Sequence, residues 1–275
     1  MIRSAVSAQP FVVRFAWHVV MAAAALSGLL LFAAPVSAMT AADARARAET
    51  GEAQAQMALG MAFYRGDDMP ADMGQAVTWV RKAADQGFAP AEATMAMLYA
   101  DGAGVPWDKK QSMAWLRRAA RHGLPQAEVA LGKACADGRD GKPDERQAVH
   151  WFQAAAEQGD DDGQRLLAEA YLDGTVVSRD PVKALTLLRF AAERGNADAQ
   201  EDLGRLYEEG AAAPRDLVEA RKWFVLAANH CKISKTCEAA AHDGLRVKAK
   251  MSVIEIEAAD KITQAWSPRS NPPNG

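Results

Sequence analysis

A glycine returns every 36 residues along this chain, at Gly51, Gly87, Gly123, Gly159 and Gly195, and Cys231 takes the sixth slot. A second set, Gly66, Gly102, Gly138, Gly174 and Gly210, keeps the same interval, as do Asp72, Asp108, Asp144, Asp180 and Asp216. Trp79, Trp115, Trp151 and Trp223 follow in register, with Leu187 in the remaining copy, and every copy carries an alanine pair such as Ala83-Ala84. Nothing is inserted or deleted across the five copies. An unbroken period of this length dictates a stack of similar units, because one unit cannot bury its own apolar stripe.

Each mark has a local job. Ala55, Leu59 and Ala62-Phe63 fall at helical spacing, which predicts a first helix (helix A) over about 52 to 65. Gly66 closes it, since a residue without Cβ adopts the left-handed conformation that ends the last turn. Asp72 then caps a second helix (helix B). Gln75, Gln111, Gln147 and Glu219 stand three residues beyond that Asp in four copies, which predicts reciprocal capping boxes. Pro181 suits the first helical position of its copy. Helix B carries Ala76, Trp79, Val80, Ala83 and Ala84 as one apolar stripe. Gly60, Ala96, Gly132, Ala168 and Gly204 share one helix A position, where a side chain would hold the helices apart. The expected fold is all-α, an α-solenoid of five 36-residue helix-turn-helix repeats over 51–230, followed by a C-terminal capping helix.

The run Ala199-x3-Leu203-Gly204-x2-Tyr207-x2-Gly210 in the fifth copy, and Gly102 to Asp108 followed by Trp115, Ala119-Ala120 and Gly123 in the second, resemble the Sel-1-like repeat, a relative of the tetratricopeptide repeat. The chain departs from that pattern with Phe63 and Cys135 at the Tyr position, Met95-Ala96 at Leu-Gly and Leu187 at Trp, all conservative for packing. The resemblance implies an adaptor or scaffold that binds protein. It also implies a closing helix, and Met251-Ser252-x2-Glu255 opens an amphipathic stretch to Trp266 that fits one, within a cap spanning 231–266. Residues 267–275 are expected to form a disordered tail, and residues 39–50 a segment ahead of the array.

The first 38 residues read as a signal peptide: Arg3 and Arg14 without an acid, an apolar run from Val19 to Ala34, and the small residues Val36-Ser37-Ala38 before a cleavage point. The competing reading is an uncleaved anchor over Phe15 to Ala38. The expected location is the periplasm, with cleavage after Ala38 and no stable membrane insertion afterwards. The chain's net charge is −3, of which the signal contributes +2, so the remainder is mildly acidic. That argues against a nucleic-acid partner, which calls for a basic face.

Export places the three cysteines in an oxidising compartment. Cys231 and Cys237 are close enough in sequence to bridge one turn, which leaves Cys135 as a buried thiol; their spacing matches no zinc pattern. His122 and His230 read as helix-end residues, where a cation suits the dipole. Asp160, Asp161 and Asp162 read as the acidic start of a helix, not as a cation loop. No nucleophile elbow, paired zinc-binding histidines or phosphate loop occurs. The sequence therefore predicts no catalytic residue, metal or cofactor, and a non-catalytic regulator or scaffold whose protein partner is a membrane sensor or an envelope assembly. The alternative is a hydrolase or binder acting on cell-wall or β-lactam-type compounds. The candidate partner surface is Met57, Met61, Tyr64 and Met97. These helix A positions lie away from the Ala55, Leu59 and Ala62 stripe and are apolar in the first two copies, whereas later copies carry Arg165, Glu169, Glu201, Arg205 and Glu208 there.

Overall fold

A computed structural model describes residues 41–139, 141–231 and 234–269. The signal-peptide reading of 1–38 lies outside them, as do residues 39, 40 and 270–275. Among the described residues the chain is helical without a strand. Helix α1 (Ala41–Glu49) precedes five helix A and helix B pairs: α2 (Ala53–Arg65) and α3 (Met73–Asp85), α4 (Ala89–Asp101) and α5 (Lys109–Arg121), α6 (Pro125–Ala136) and α7 (Glu145–Glu157), α8 (Asp161–Asp173) and α9 (Pro181–Glu193), α10 (Ala197–Glu209) and α11 (Leu217–His230). Two further helices follow, α12 (Ser234–Lys248) and α13 (Val253–Gln264). The chain forms two compact units, one ending at Arg118 and the other beginning at Ala119.

In the first unit α1 packs on α2, and Ala44 and Ala48 join Leu59, Phe63 and Ala76 in one cluster. A second cluster gathers Val80, Ala83, Ala84, Met95 and Trp115. In the second unit Leu188, Leu203, Trp223, Phe224 and Val247 share a core with the alanines of helices α9 to α11. The shared small position does what its recurrence implies. A Cβ on Gly132 would sit 2.5 Å from the Phe152 ring, and one on Gly60 would sit 2.7 Å from Val80. Helix A and helix B thus meet at backbone distance. Gly66, at φ 77°, ends α2 in the left-handed conformation, with its N–H bonded to the Ala62 carbonyl.

Two expectations about side chains change. The Asp caps form: Asp72, Asp108, Asp144, Asp180 and Asp216 each accept the N–H three residues on, at 3.0–3.1 Å. The reciprocal half of the predicted boxes at Asp72, Asp144 and Asp216 does not form. Its donor is already spent, because the Asp N–H bonds the carbonyl nine residues earlier: Phe63, Tyr99, Cys135, Tyr171 and Tyr207, at 2.9–3.0 Å. Gln147 instead folds onto the Asp144 carboxylate at 2.9 Å. The full reciprocal box closes at Ser252 and Glu255. The tryptophans also divide. Trp115 and Trp223 are buried, whereas Trp79 and Trp151 are half-buried. Lys82 lies over the Trp79 ring at 3.8 Å and Arg118 over Trp115 at 4.3 Å, so cations complete the cover that neighbouring helices leave open.

The C-terminal end holds two helices where the sequence suggested one. Helix α12 packs on α11 and buries Ala240 and Val247. It carries none of the repeat marks, so the period gave no sign of it. The start of the expected tail is also ordered. Arg269 donates its backbone N–H to the Glu193 carbonyl at 2.8 Å and pairs its guanidinium with the Glu193 carboxylate at 2.7 Å. Residues 267–269 are therefore docked, for a reason that lies 76 residues away in sequence.

Candidate functional site

The predicted partner surface lies on α2 and α4. Met57, Met61, Tyr64 and Met97 are all half-buried. Met57 packs at the edge of the Val80 and Ala84 cluster, and Tyr64 at the edge of the Leu59 and Phe63 cluster. Met61 and Tyr64 rim a small apolar notch floored by Gly60, with Thr94 and Leu98 opposite. Burial, and then the charge of Asp101, raise the Tyr64 phenol above its ordinary range. In the second unit the counterparts Val129 and Glu201 are buried. There Arg165 reaches Glu169 and Asp202, and Arg205 reaches Glu201, so the charges are satisfied within the fold. Burial nonetheless raises the Asp202 carboxyl, against the lowering effect of Arg165 and Arg205.

A polar helix A position that the sequence reading passed over recurs in each copy. Gln56, Glu92, Glu128, Gln164 and Gln200 recur at the repeat interval, and all five are buried. A buried polar group needs a partner, and helix B supplies it for four of the five, whereas Gln164 Oε1 has none among the described residues. Gln86 donates to Gln56 Oε1 at 2.7 Å, Gln158 donates to Glu128 Oε2 at 2.8 Å, and His230 Nδ1 lies 3.2 Å from Gln200 Oε1. Each of these partners stands 30 residues on, at the end of its helix B. Glu92 meets Arg118 at 2.9 Å. His230 thus reads a glutamine, where the sequence suggested an interaction with the helix end. The signal was available: an amide or acid follows a small helix A residue, alanine in four copies and Gly163 in the fourth, throughout the array.

Asp160, Asp161 and Asp162 open α8 as expected and spend their carboxylates internally. Asp160 caps Gly163 at 2.9 Å, Asp161 pairs with Arg194 at 3.0 Å, and Asp162 accepts from Asn196 at 3.0 Å. Burial pushes the Asp161 pKa up to about 6 despite the lowering influence of Arg194. Cys231 and Cys237 are joined by a disulfide with Cα atoms 5.5 Å apart, and Cys135 is buried on α6.

A concavity lies at the end of the second unit. A cavity of about 440 Å³ opens between α11, α13 and the docked segment 266–268, over Val225 and Leu226. Asn229 and Gln264 line it, and both are exposed. The Trp266 ring lies on His230 with centroids 4.9 Å apart. Docking of the segment is marginal. The exposed Arg269–Glu193 pair contributes about 0–1 kcal/mol. One net hydrogen bond contributes about 1 kcal/mol. Ordering each residue costs about 1–2 kcal/mol.

Sequence reasoning also missed exposed apolar side chains at Trp107, Val182, Phe190, Leu245, Val253 and Ile254. Phe190 stands where other copies carry Lys82 and Arg118, and Val182 where they carry Lys110 and Arg146. The same slots also hold Ala154 and Leu226, and Gly74 and Val218, so the repeat pattern gave no sign of the exposure.

Among the described residues no group of three or more His, Cys, Asp or Glu is arranged to hold a metal ion, and no helix is long and apolar enough to cross a membrane. No match to the chain was found among the curated proteins. The chain resembles the crystal structure of a protective antigen present in uropathogenic Escherichia coli strains that displays an SLR fold, with 30% identity and a TM-score of 0.64 over 84% of this chain. It spans about half, 53%, of that antigen's length. It is also similar to a Sel1 repeat protein from Oxalobacter formigenes, with 32% identity and a TM-score of 0.58 over 68% of this chain and 75% of that one. The family described as Sel1 repeat matches residues 53–88, 89–124, 125–160, 161–196 and 197–230. These are the five helix pairs described above, and the chain belongs to the Sel1 repeat family.

Proposed function

We propose that this protein is an exported, non-catalytic interaction scaffold that works in the periplasm, and that its partner docks on helices α2 and α4. Sel1 repeat proteins are generally protein-interaction scaffolds. One contrast carries the assignment of the surface. At equivalent helix A positions, Arg165, Glu201 and Arg205 are held by ion pairs inside the fold, whereas Met57, Met61 and Met97 offer adaptable apolar surface that is half open. A membrane sensor or envelope assembly fits the location that the leading 38 residues suggest.

The test is Met57→Asp combined with Met61→Asp. Capture of the crosslinked partner from envelope extract should fall at least about tenfold, as loss of a central apolar anchor does, while the melting temperature holds. If the double variant unfolds or aggregates, the two methionines serve the core and the surface lies elsewhere. Intact mass of the periplasmic protein should correspond to a chain beginning at Met39. A membrane-bound species that retains residues 1–38 would refute the cleavage.

A further inference from the structure

The end of α9 and the edge of α11 already hold an extended peptide, the chain's own residues 266–269. Its contacts are those of a ligand in a groove. One backbone hydrogen bond runs from Arg269 to the Glu193 carbonyl, at 2.8 Å. A guanidinium meets the Glu193 carboxylate at 2.7 Å, although its side chain remains 74% exposed. Pro268 passes over Gly195, 3.9 Å from where a Cβ would lie, an ordinary packing distance. Trp266 rests on the His230 ring.

The segment fills only part of what it touches. The cavity of about 440 Å³ beside it falls within the range of sites that hold a ligand, with an apolar floor and a few polar groups on its walls. Asn229 and Gln264, both exposed, line it. A carboxamide offers a donor and an acceptor side by side, which matches the N–H and C=O of an extended backbone.

We propose that this edge is a second interaction surface, separate from α2 and α4, and that it binds an extended segment of a partner protein in which an aromatic residue is followed, one residue later, by Pro-Arg. Glu193 reads the arginine, His230 carries the aromatic ring, and Asn229 and Gln264 hold the backbone beyond it. The protein's own residues 266–269 occupy the same contacts in the absence of that partner. Being tethered, they act at high effective concentration, so a segment supplied in trans competes against them.

The probe is a fluorescein-labelled peptide carrying residues 264–275, titrated into the full chain and read by anisotropy. Arg269→Glu in the full chain should loosen the resident segment and tighten peptide binding by about tenfold. On a Glu193→Lys chain that keeps Arg269, binding of this peptide should be about fivefold weaker than on the Arg269→Glu chain. A peptide with Glu at the position of Arg269 should restore it on the Glu193→Lys chain. Met57→Asp with Met61→Asp should leave all of these results unchanged. Binding that is absent from the Arg269→Glu chain, or indifferent to Glu193→Lys, overturns the proposal. So does a charge-reversed peptide that fails to bind a Glu193→Lys chain whose circular dichroism matches the parent.

Discussion

Gln158 donates its side-chain amide to Glu128 Oε2 at 2.8 Å and so serves a carboxylate that is only 4% exposed. Burial raises the Glu128 pKa, and the Gln158 bond opposes that rise. Gln158→Leu should therefore cost about 2–3 kcal/mol at neutral pH, the range for losing a hydrogen bond to a buried charged group. Its sign with pH follows. Without the bond the folded-state pKa climbs further, so the penalty is present above that pKa and is relieved as falling pH protonates Glu128. Urea denaturation at pH 5 and pH 7.5 checks this; an equal loss at both would contradict it.

Gly132→Ala should destabilise by about 1–3 kcal/mol, the usual effect of overpacking. The added Cβ meets the Phe152 ring at 2.5 Å and the Ala148 carbonyl at 3.1 Å. Because the first neighbour is a side chain, Phe152→Leu in the same chain should recover part of the loss. Thermal melts of the two variants and their combination decide; a neutral single variant would show that the ring moves without cost.

Asp161 should titrate near 6 in the folded protein. A raised carboxylate keeps its proton in the native state where the unfolded chain has released it. Stability should accordingly fall as pH rises from the unfolded value toward 6, by at most about 1.4 kcal/mol per pH unit from this group. Asp161→Asn should flatten that slope while Asp160 continues to cap α8. Stability curves between pH 4 and pH 7 that superimpose for parent and variant would rule this out.

Cys237→Ser should lower stability by about 2 kcal/mol, the low end for disulfides, because the loop closed by Cys231 and Cys237 spans a separation of 6 residues. Peptide mapping without reductant should find those two joined and Cys135 as a thiol. A bridge that uses Cys135 would require α6 to open.

What could be read from the sequence was what repeats. The helix pairs, the Asp caps, the glycine ends and the small position behind Gly132 each recur at a fixed interval, so one physical reason accounted for five observations. What escaped was what happens once, or what joins distant residues. Helix α12 lies outside the period and shows no mark of it. The reciprocal capping boxes looked complete as sequence, but the Asp72 N–H goes to the Phe63 carbonyl, and a backbone acceptor has no residue signature. Arg269 docks on Glu193 through one ion pair and one main-chain bond, which composition does not announce. The recurrence of Gln56, Glu92, Glu128, Gln164 and Gln200 at one repeat position was legible and was passed over, because the helix A pattern was read for its apolar residues.

The bond from each capping Asp to the carbonyl nine residues before it uses only main-chain atoms on the receiving side. Phe63, Tyr99 and Cys135 therefore serve equally well, and the turn between helix A and helix B closes without help from any other copy. A duplicated or deleted stretch of one period carries its own closure with it and leaves no orphaned amide in the connection. The length of such an array is accordingly open to change by unequal recombination, one period at a time, while its two ends stay under separate constraint.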